Sequence, residues 1–182
     1  MAPEANMRIG IDISQVVYEG TGVGNYVREM VRALLTIDQR NEYILFGSSL
    51  RLRHKFEQFY ETVKNPNVKL CVLPIPQTLL EFLWNTVHVV PIETFTGPID
   101  IYWSSDWTQP PLKHALGVTT IHDLSVLRYP ESFGETNIVD VAKRRLAWAK
   151  KECRHFLCDS KATKQDVMSL VGIARSKLKV VY

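Results

Sequence analysis

"MRIGIDISQVVYEGTGVGNYVREMVRALL", residues 7–35, passes from an apolar β-branched run through alternate glycines into an amphipathic stretch. Arg8–Ile13 reads as a buried strand. Tyr26, Val27, Met30, Val31, Leu34 and Leu35 fall on one helical stripe, with Arg28, Glu29 and Arg32 facing away. Strand, glycine loop and helix in that order open an α/β fold. The glycines between them let the chain turn tightly and bring helix N–H groups near an anion.

Two common phosphate-binding patterns do not fit this loop. A dinucleotide site needs G-x-G-x-x-G and an acidic residue ending the second strand. Here Gly22-Val23-Gly24 is followed by Asn25, Tyr26 and Val27, and the second strand ends "ILFGSS", residues 44–49. A nicotinamide-dependent oxidoreductase is therefore disfavoured. The Walker pattern fails as well, because no Gly-Lys-Ser/Thr follows. Two readings of the loop remain: a loop-closing turn with no ligand, and a bare backbone that meets a phosphate of another kind.

The rest of the chain repeats the opening alternation. Strands are expected at Tyr43–Phe46, Val68–Leu73, Ile99–Trp103, Val118–Ile121, His155–Cys158 and Leu178–Val181. Helices are expected at Leu52–Val63, Leu79–Val89, Asn137–Lys150 and Lys161–Val171. Most strand runs are apolar without alternation, as strands covered on both faces should be. The pattern predicts one doubly wound α/β domain with a mainly parallel sheet of about seven strands. "PIP" (Pro74–Pro76) and "TQPPLK" (Thr108–Lys113) read as loops. Residues 1–6 read as a disordered leader, with Met7 a candidate start.

Composition restricts the function classes. The chain has 182 residues, 46% hydrophobic and 23% charged, with a net charge of +3. That is ordinary for a globular domain, and no clustered basic stripe points to nucleic acid. Cys71, Cys153 and Cys158 have no zinc-ligand spacing and read as buried thiols of a reducing compartment. The apolar region Leu79–Ile92 is interrupted by Glu81, Asn85, Thr86 and His88 and is too short to span a bilayer. A cytoplasmic location is expected, and no metal site. Lys143, Arg144, Arg145, Lys150 and Lys151 form a basic helix flank, read as a solvated face, with contact at an anionic membrane surface the lesser alternative.

A second constellation lies in "VTTIHDLSVLRYPESF", residues 118–133. A short strand delivers His122 and Asp123 at its carboxyl end, the edge where open α/β sheets bind ligands. His122 either donates to a sugar hydroxyl or bonds loop backbone; Asp123 reads as a cap on the next turn. Ser160 reads as the N-cap of "KATKQDVMSL". Trp103 and Trp107, in "IYWSSDWTQPP", either stack on a ligand or pack the loop against the sheet. Phe82 and Trp84 read as core.

Taken together, residues 7–35, "EYILFG", "TTIHDLSVLRYPESF", "RRLAWAKKECRHFLCDSKATKQDV" and "KLKVVY" resemble the N-terminal domain of family-four retaining glycosyltransferases. The resemblance spans Met7–Tyr182 and is most specific in His-Asp-Leu combined with Ser160-x-x-Thr163-Lys164-x-Asp166. It implies half of a GT-B fold, in which two Rossmann-like domains face each other across a cleft. By that resemblance the backbone of Gly22, Val23 and Gly24 meets the diphosphate of a nucleotide sugar. His122 faces the transferred sugar, and Asp123 orients the loop or the imidazole. Trp103 and Trp107 are acceptor-side candidates. The acceptor would be a glycan, a lipid-linked sugar or a small molecule; the basic flank leaves room for peripheral contact at the inner membrane face. No metal is implied.

The family's second, donor-binding domain carries a Glu-x7-Glu motif, and no such segment follows Tyr182 here. The expectation is a chain inactive alone. The alternative is a natural non-catalytic acceptor-binding subunit that works with a separate donor-binding chain.

Overall fold

A computed structural model describes residues 6–134 and 137–182. The expected leader, except for Asn6, lies outside the described residues. Seven strands form one sheet: β1 (Arg8–Asp12), β2 (Glu42–Ser48), β3 (Val68–Leu73), β4 (Ile101–Ser104), β5 (Leu116–Ile121), β6 (Cys153–Cys158) and β7 (Leu178–Val180). Their order is β3-β2-β1-β4-β5-β6-β7 and every pairing is parallel. The helices are α1 (Gly22–Ile37), α2 (Arg53–Glu61), α3 (Gln77–Glu81), α4 (Glu93–Thr96), α5 (Ser125–Arg128), α6 (Ile138–Glu152) and α7 (Lys161–Asp166). This is the Rossmann-like α/β architecture expected, with all seven strand positions found.

Alternate residues of each central strand go to opposite faces, and both faces are covered. Tyr43 and Leu45 of β2 join Val27, Val31 and Leu35 of α1 and Phe56 of α2 in one core cluster. Ile44 and Phe46 of the same strand join Leu80 and Trp84 beyond the other face. A third cluster, with Leu146 of α6, Phe156 of β6 and Val167, closes the β6–β7 end.

Departures from the sequence reading are local. The loop "SQVV" winds into a 3₁₀ turn, Ser14–Val17. Gly22 and Gly24 belong to the first turn of α1 rather than to the loop before it. The helix expected at Leu79–Val89 is α3 followed by a π-helical segment, Phe82–Val87, ending at His88 in the left-handed region. Leu80 and Trp84, four apart, share its buried face, so Phe82 between them is 53% exposed and is not core. Lys161–Val171 likewise passes into a π-helical segment at Val167. Among the described residues no helix is long and apolar enough to cross a membrane. Cys153 and Cys158 are buried, whereas Cys71 is half-buried; all three are free.

The end of α1 is tied to β2 by a polar knot. Tyr43 Oη donates to Asp38 Oδ2 at 2.6 Å, Asn41 Nδ2 donates to the same oxygen, and the Arg40 N–H donates to Oδ1 at 2.9 Å. The Tyr43 hydroxyl, foremost, holds the Asp38 carboxyl down to about 2. A carboxyl depressed by folding contributes stability above its unfolded pKa and loses it as pH falls through its folded one. That contribution is complete above about pH 4 and disappears toward about pH 2. Titration of the Asp38 carboxyl by NMR should give a midpoint near 2, and Tyr43→Phe should move it upward. An unmoved midpoint in that variant contradicts the knot.

Candidate functional site

Chain order reverses direction across the sheet between β1 and β4: β2 and β3 lie to one side, β4 to β7 to the other. Loops leaving the carboxyl ends of β1 and β4 therefore diverge and open a crevice, the usual ligand position in such sheets. Beside it sits a cavity of about 190 Å³. Its lining includes Val23 from the first turn of α1, Asp106 and Trp107 after β4, His122 after β5, and Arg145 of α6. The glycine turn and the His122 loop, far apart in sequence, meet here.

The glycines around this turn have different causes. Gly20 adopts a φ of +75°, a left-handed conformation that favours glycine. At Gly24 a Cβ would come within 2.7 Å of the Tyr18 carbonyl and 2.9 Å of the Gln15 carbonyl, so close packing excludes a side chain. Gly22 has neither constraint: a Cβ there would meet nothing within 4 Å, and its φ is ordinary. Its bareness leaves open space at the helix start. Thr21 caps α1 by accepting from the Gly24 N–H at 3.1 Å. Gly24 is thus already bonded, and of the three expected amides those of Gly22 and Val23 are the ones with no intrahelical acceptor.

His122 is held from three directions. Cα register pairs Ile121 with Cys158, so the next residues along these neighbouring strands, His122 and Asp159, lie side by side. His122 Nδ1 stands 3.2 Å from Asp159 Oδ2. A proton on Nδ1 satisfies that carboxylate and leaves Nε2 of the neutral ring as an acceptor. The Tyr26 ring meets the imidazole edge-on, with centroids 4.9 Å apart. Thr163 Oγ1 donates to the His122 carbonyl at 2.8 Å.

Residues 20–182 match the family described as Glycosyltransferase Family 4. The chain belongs to glycosyltransferase family 4. No curated protein matches it. The family-four segment Ser160-x-x-Thr163-Lys164-x-Asp166 has a structural account in full. Ser160 caps α7 through the Thr163 N–H at 2.9 Å, as expected. Thr163 anchors the His122 loop, Lys164 Nζ donates to the Leu178 carbonyl of β7 at 2.9 Å, and Asp166 pairs with Arg128 at 2.8 Å.

Other expected site residues of this family-four domain fall differently. Asp123 is exposed and accepts from the Ser125 N–H at 2.8 Å and from the Ser125 hydroxyl. It caps the turn; the carboxylate that meets the imidazole is Asp159. Trp103 is a core residue: only 8% exposed, it donates from Nε1 to Thr120 Oγ1 at 3.0 Å. Its place on β4, beside Ile11 of β1, puts its ring under α1 and removes it from any acceptor surface. Trp107 is 39% exposed at the cavity rim. Its loop is fixed by buried Asn85 of the π-helical segment, which donates to the Trp107 carbonyl at 2.9 Å and accepts from the Gln109 N–H at 3.0 Å.

The basic flank of α6 is exposed at Lys143, Lys150 and Lys151, half-buried at Arg144 and buried at Arg145. Arg145 is 3% exposed, because Val141, Arg145 and Ala149 share the buried stripe four residues apart. Its Nη2 donates to the Ser105 carbonyl at 2.6 Å and to Thr119 Oγ1. Burial lowers its pKa, opposed by the Asp106 carboxylate before Asp12. The same burial pushes the Asp12 carboxyl up, opposed by hydrogen bonds from Ser14. Asp106 keeps one buried oxygen, Oδ1, without a hydrogen-bond partner among the described residues.

The glycine assignments separate stability from function. Gly24→Ala forces the Gln15–Tyr18 backbone to move and should cost about 1–3 kcal/mol, lowering Tm by several degrees. Gly22→Ala should be neutral or stabilise by up to about 1 kcal/mol. Thermal melts of both variants check this; equal losses contradict the division.

Proposed function

We propose that this domain is the acceptor-binding half of a retaining glycosyltransferase, moving a hexosyl group from a nucleotide sugar to a hydroxyl of a glycan, lipid-linked or small-molecule acceptor. One observation carries the reading. The first turn of α1, with a glycine that neither packing nor backbone conformation requires, shares a cavity with an imidazole fixed by a carboxylate. Family membership supplies the chemistry to which that pair is suited.

In this reading the Gly22 and Val23 N–H groups donate to the diphosphate as the glycosidic bond breaks and negative charge gathers on the leaving group. The positive end of the α1 dipole adds to them. His122 Nε2 accepts a hydrogen bond from a hydroxyl of the transferred sugar, holding the anomeric carbon toward the cleft; Asp159 keeps the ring in the tautomer that allows it. A facing donor-binding domain completes the site, on the same polypeptide or as a separate subunit, and the domain alone does not turn over. A cytoplasmic setting suits three unpaired thiols.

Transfer by the domain joined to its donor-binding half tests this. His122→Ala should lower kcat on the order of 100-fold. Asp159→Asn should lower it about tenfold with little change in KM. Undiminished transfer in His122→Ala overturns the reading.

A further inference from the structure

The cavity under His122 has a neighbour across Trp107. A second cavity, about 210 Å³, lies beyond that residue and is bordered by Trp107, Gln15, Tyr18 and Gln77. A third, about 410 Å³, shares Tyr18 and Gln77 and continues past Ser14 to Arg51. Each cavity shares lining residues with the next, so the three lie in one row, a groove in three parts, along the carboxyl edge of the sheet. It starts at the loop after β5 and ends at the loops after β2 and β3. Three to four interstrand spacings make it roughly 14–19 Å long.

The groove's chemistry is that of a surface for neutral, hydroxyl-rich rings. Two flat aromatic faces, Trp107 at 39% exposure and Tyr18 at 48%, stand along it in succession. Both sit on fixed backbone: Asn85 holds the Trp107 loop, and the Tyr18 carbonyl accepts from Thr21 Oγ1 at 3.0 Å. Between them the amides of Gln15 and Gln77 have no side-chain hydrogen-bond partner among the described residues. A pyranose ring offers an apolar face for an aromatic and a rim of hydroxyls for planar amides. An acyl chain would leave both glutamines unpaired, at a cost in desolvation. Of the two cations that line it, Arg145 is 3% exposed and spends its Nη2 on Ser105 and Thr119, with Asp106 beside it, and Arg51 alone is too little charge to select a polyanion.

Resting on the glycosyl-transfer reading, we infer that the acceptor is an oligosaccharide of several linked units. Its terminal sugar lies at the Trp107 rim of the first cavity, next to the sugar that His122 holds, and the preceding units stack on Trp107 and then Tyr18. A single sugar occupies the first cavity alone.

A glycan array running from monosaccharides to linear hexasaccharides tests this with the 182-residue chain. Retention should rise with length and level off once the groove is filled. Tyr18→Ala should weaken the longer glycans about tenfold, and leave monosaccharides unchanged. Tyr18→Phe should restore binding, and unchanged thermal melts should confirm that both variants are folded. Retention independent of length, no retention of any glycan, or longer glycans unaffected by Tyr18→Ala each overturn the groove. None of these outcomes touches the glycosyl-transfer reading, which stands or falls on the separate assay of His122→Ala.

Discussion

All seven strands run the same way, so every loop that follows a strand opens on one edge of the sheet. Residues separated by a hundred positions in sequence become neighbours there. The glycine turn follows β1, Trp107 follows β4, His122 follows β5 and Asp159 follows β6. Had β5 and β6 paired with a slip of one residue, Asp159 would no longer lie level with His122, and each side chain of β6 would exchange faces. The register is held by burial on both sides of the sheet, which makes the site a by-product of core packing.

Around that edge, rigidity is supplied by polar groups placed where water is excluded. Asn85 and Arg145 come from helical segments on either side of the Ser105–Gln109 loop, and each bonds its backbone. A buried guanidinium is expensive unless its donors are satisfied. Arg145 meets this only in part: its Nη2 bonds carbonyls and a hydroxyl, its Nε is buried without a hydrogen-bond partner among the described residues, and the carboxylates of Asp106 and Asp12 act on it electrostatically. The π-helical segment contributes as well: its adjacent residues Trp84 and Asn85 are both buried. Asn85 anchors the loop while Trp84 fills the core.

Much of the architecture was legible because it follows from period and composition. Uniformly apolar short runs declared strands buried on two faces, and the stripe Val27–Val31–Leu35 declared α1. His122 was legible as a polar residue ending a β-branched strand. Its partner was not: choosing Asp159 over the adjacent Asp123 requires knowing that β5 lies beside β6 and in what register, which no local pattern encodes. Trp103 and Trp107 differ only in whether they precede or follow the end of β4, a boundary that hydropathy leaves blurred. Arg145 carried a signal that charge obscured, since it occupies the stripe position between Val141 and Ala149. The glycines could be counted but not sorted, because the causes at Gly20, Gly22 and Gly24 are tertiary.

The central claim is that two bare amides at the start of α1 and the imidazole of His122 receive one diphosphate sugar between them. Amide and side-chain NMR of the chain during titration with inorganic pyrophosphate, then with a nucleotide sugar, measures this directly. The account predicts that the Gly22 and Val23 amides move with both ligands, that Gly24, bonded to Thr21, moves least of the turn, and that the His122 ring responds when the sugar is present. Perturbations that spare Gly22 and Val23, or that gather away from the carboxyl edge of the sheet, would contradict it.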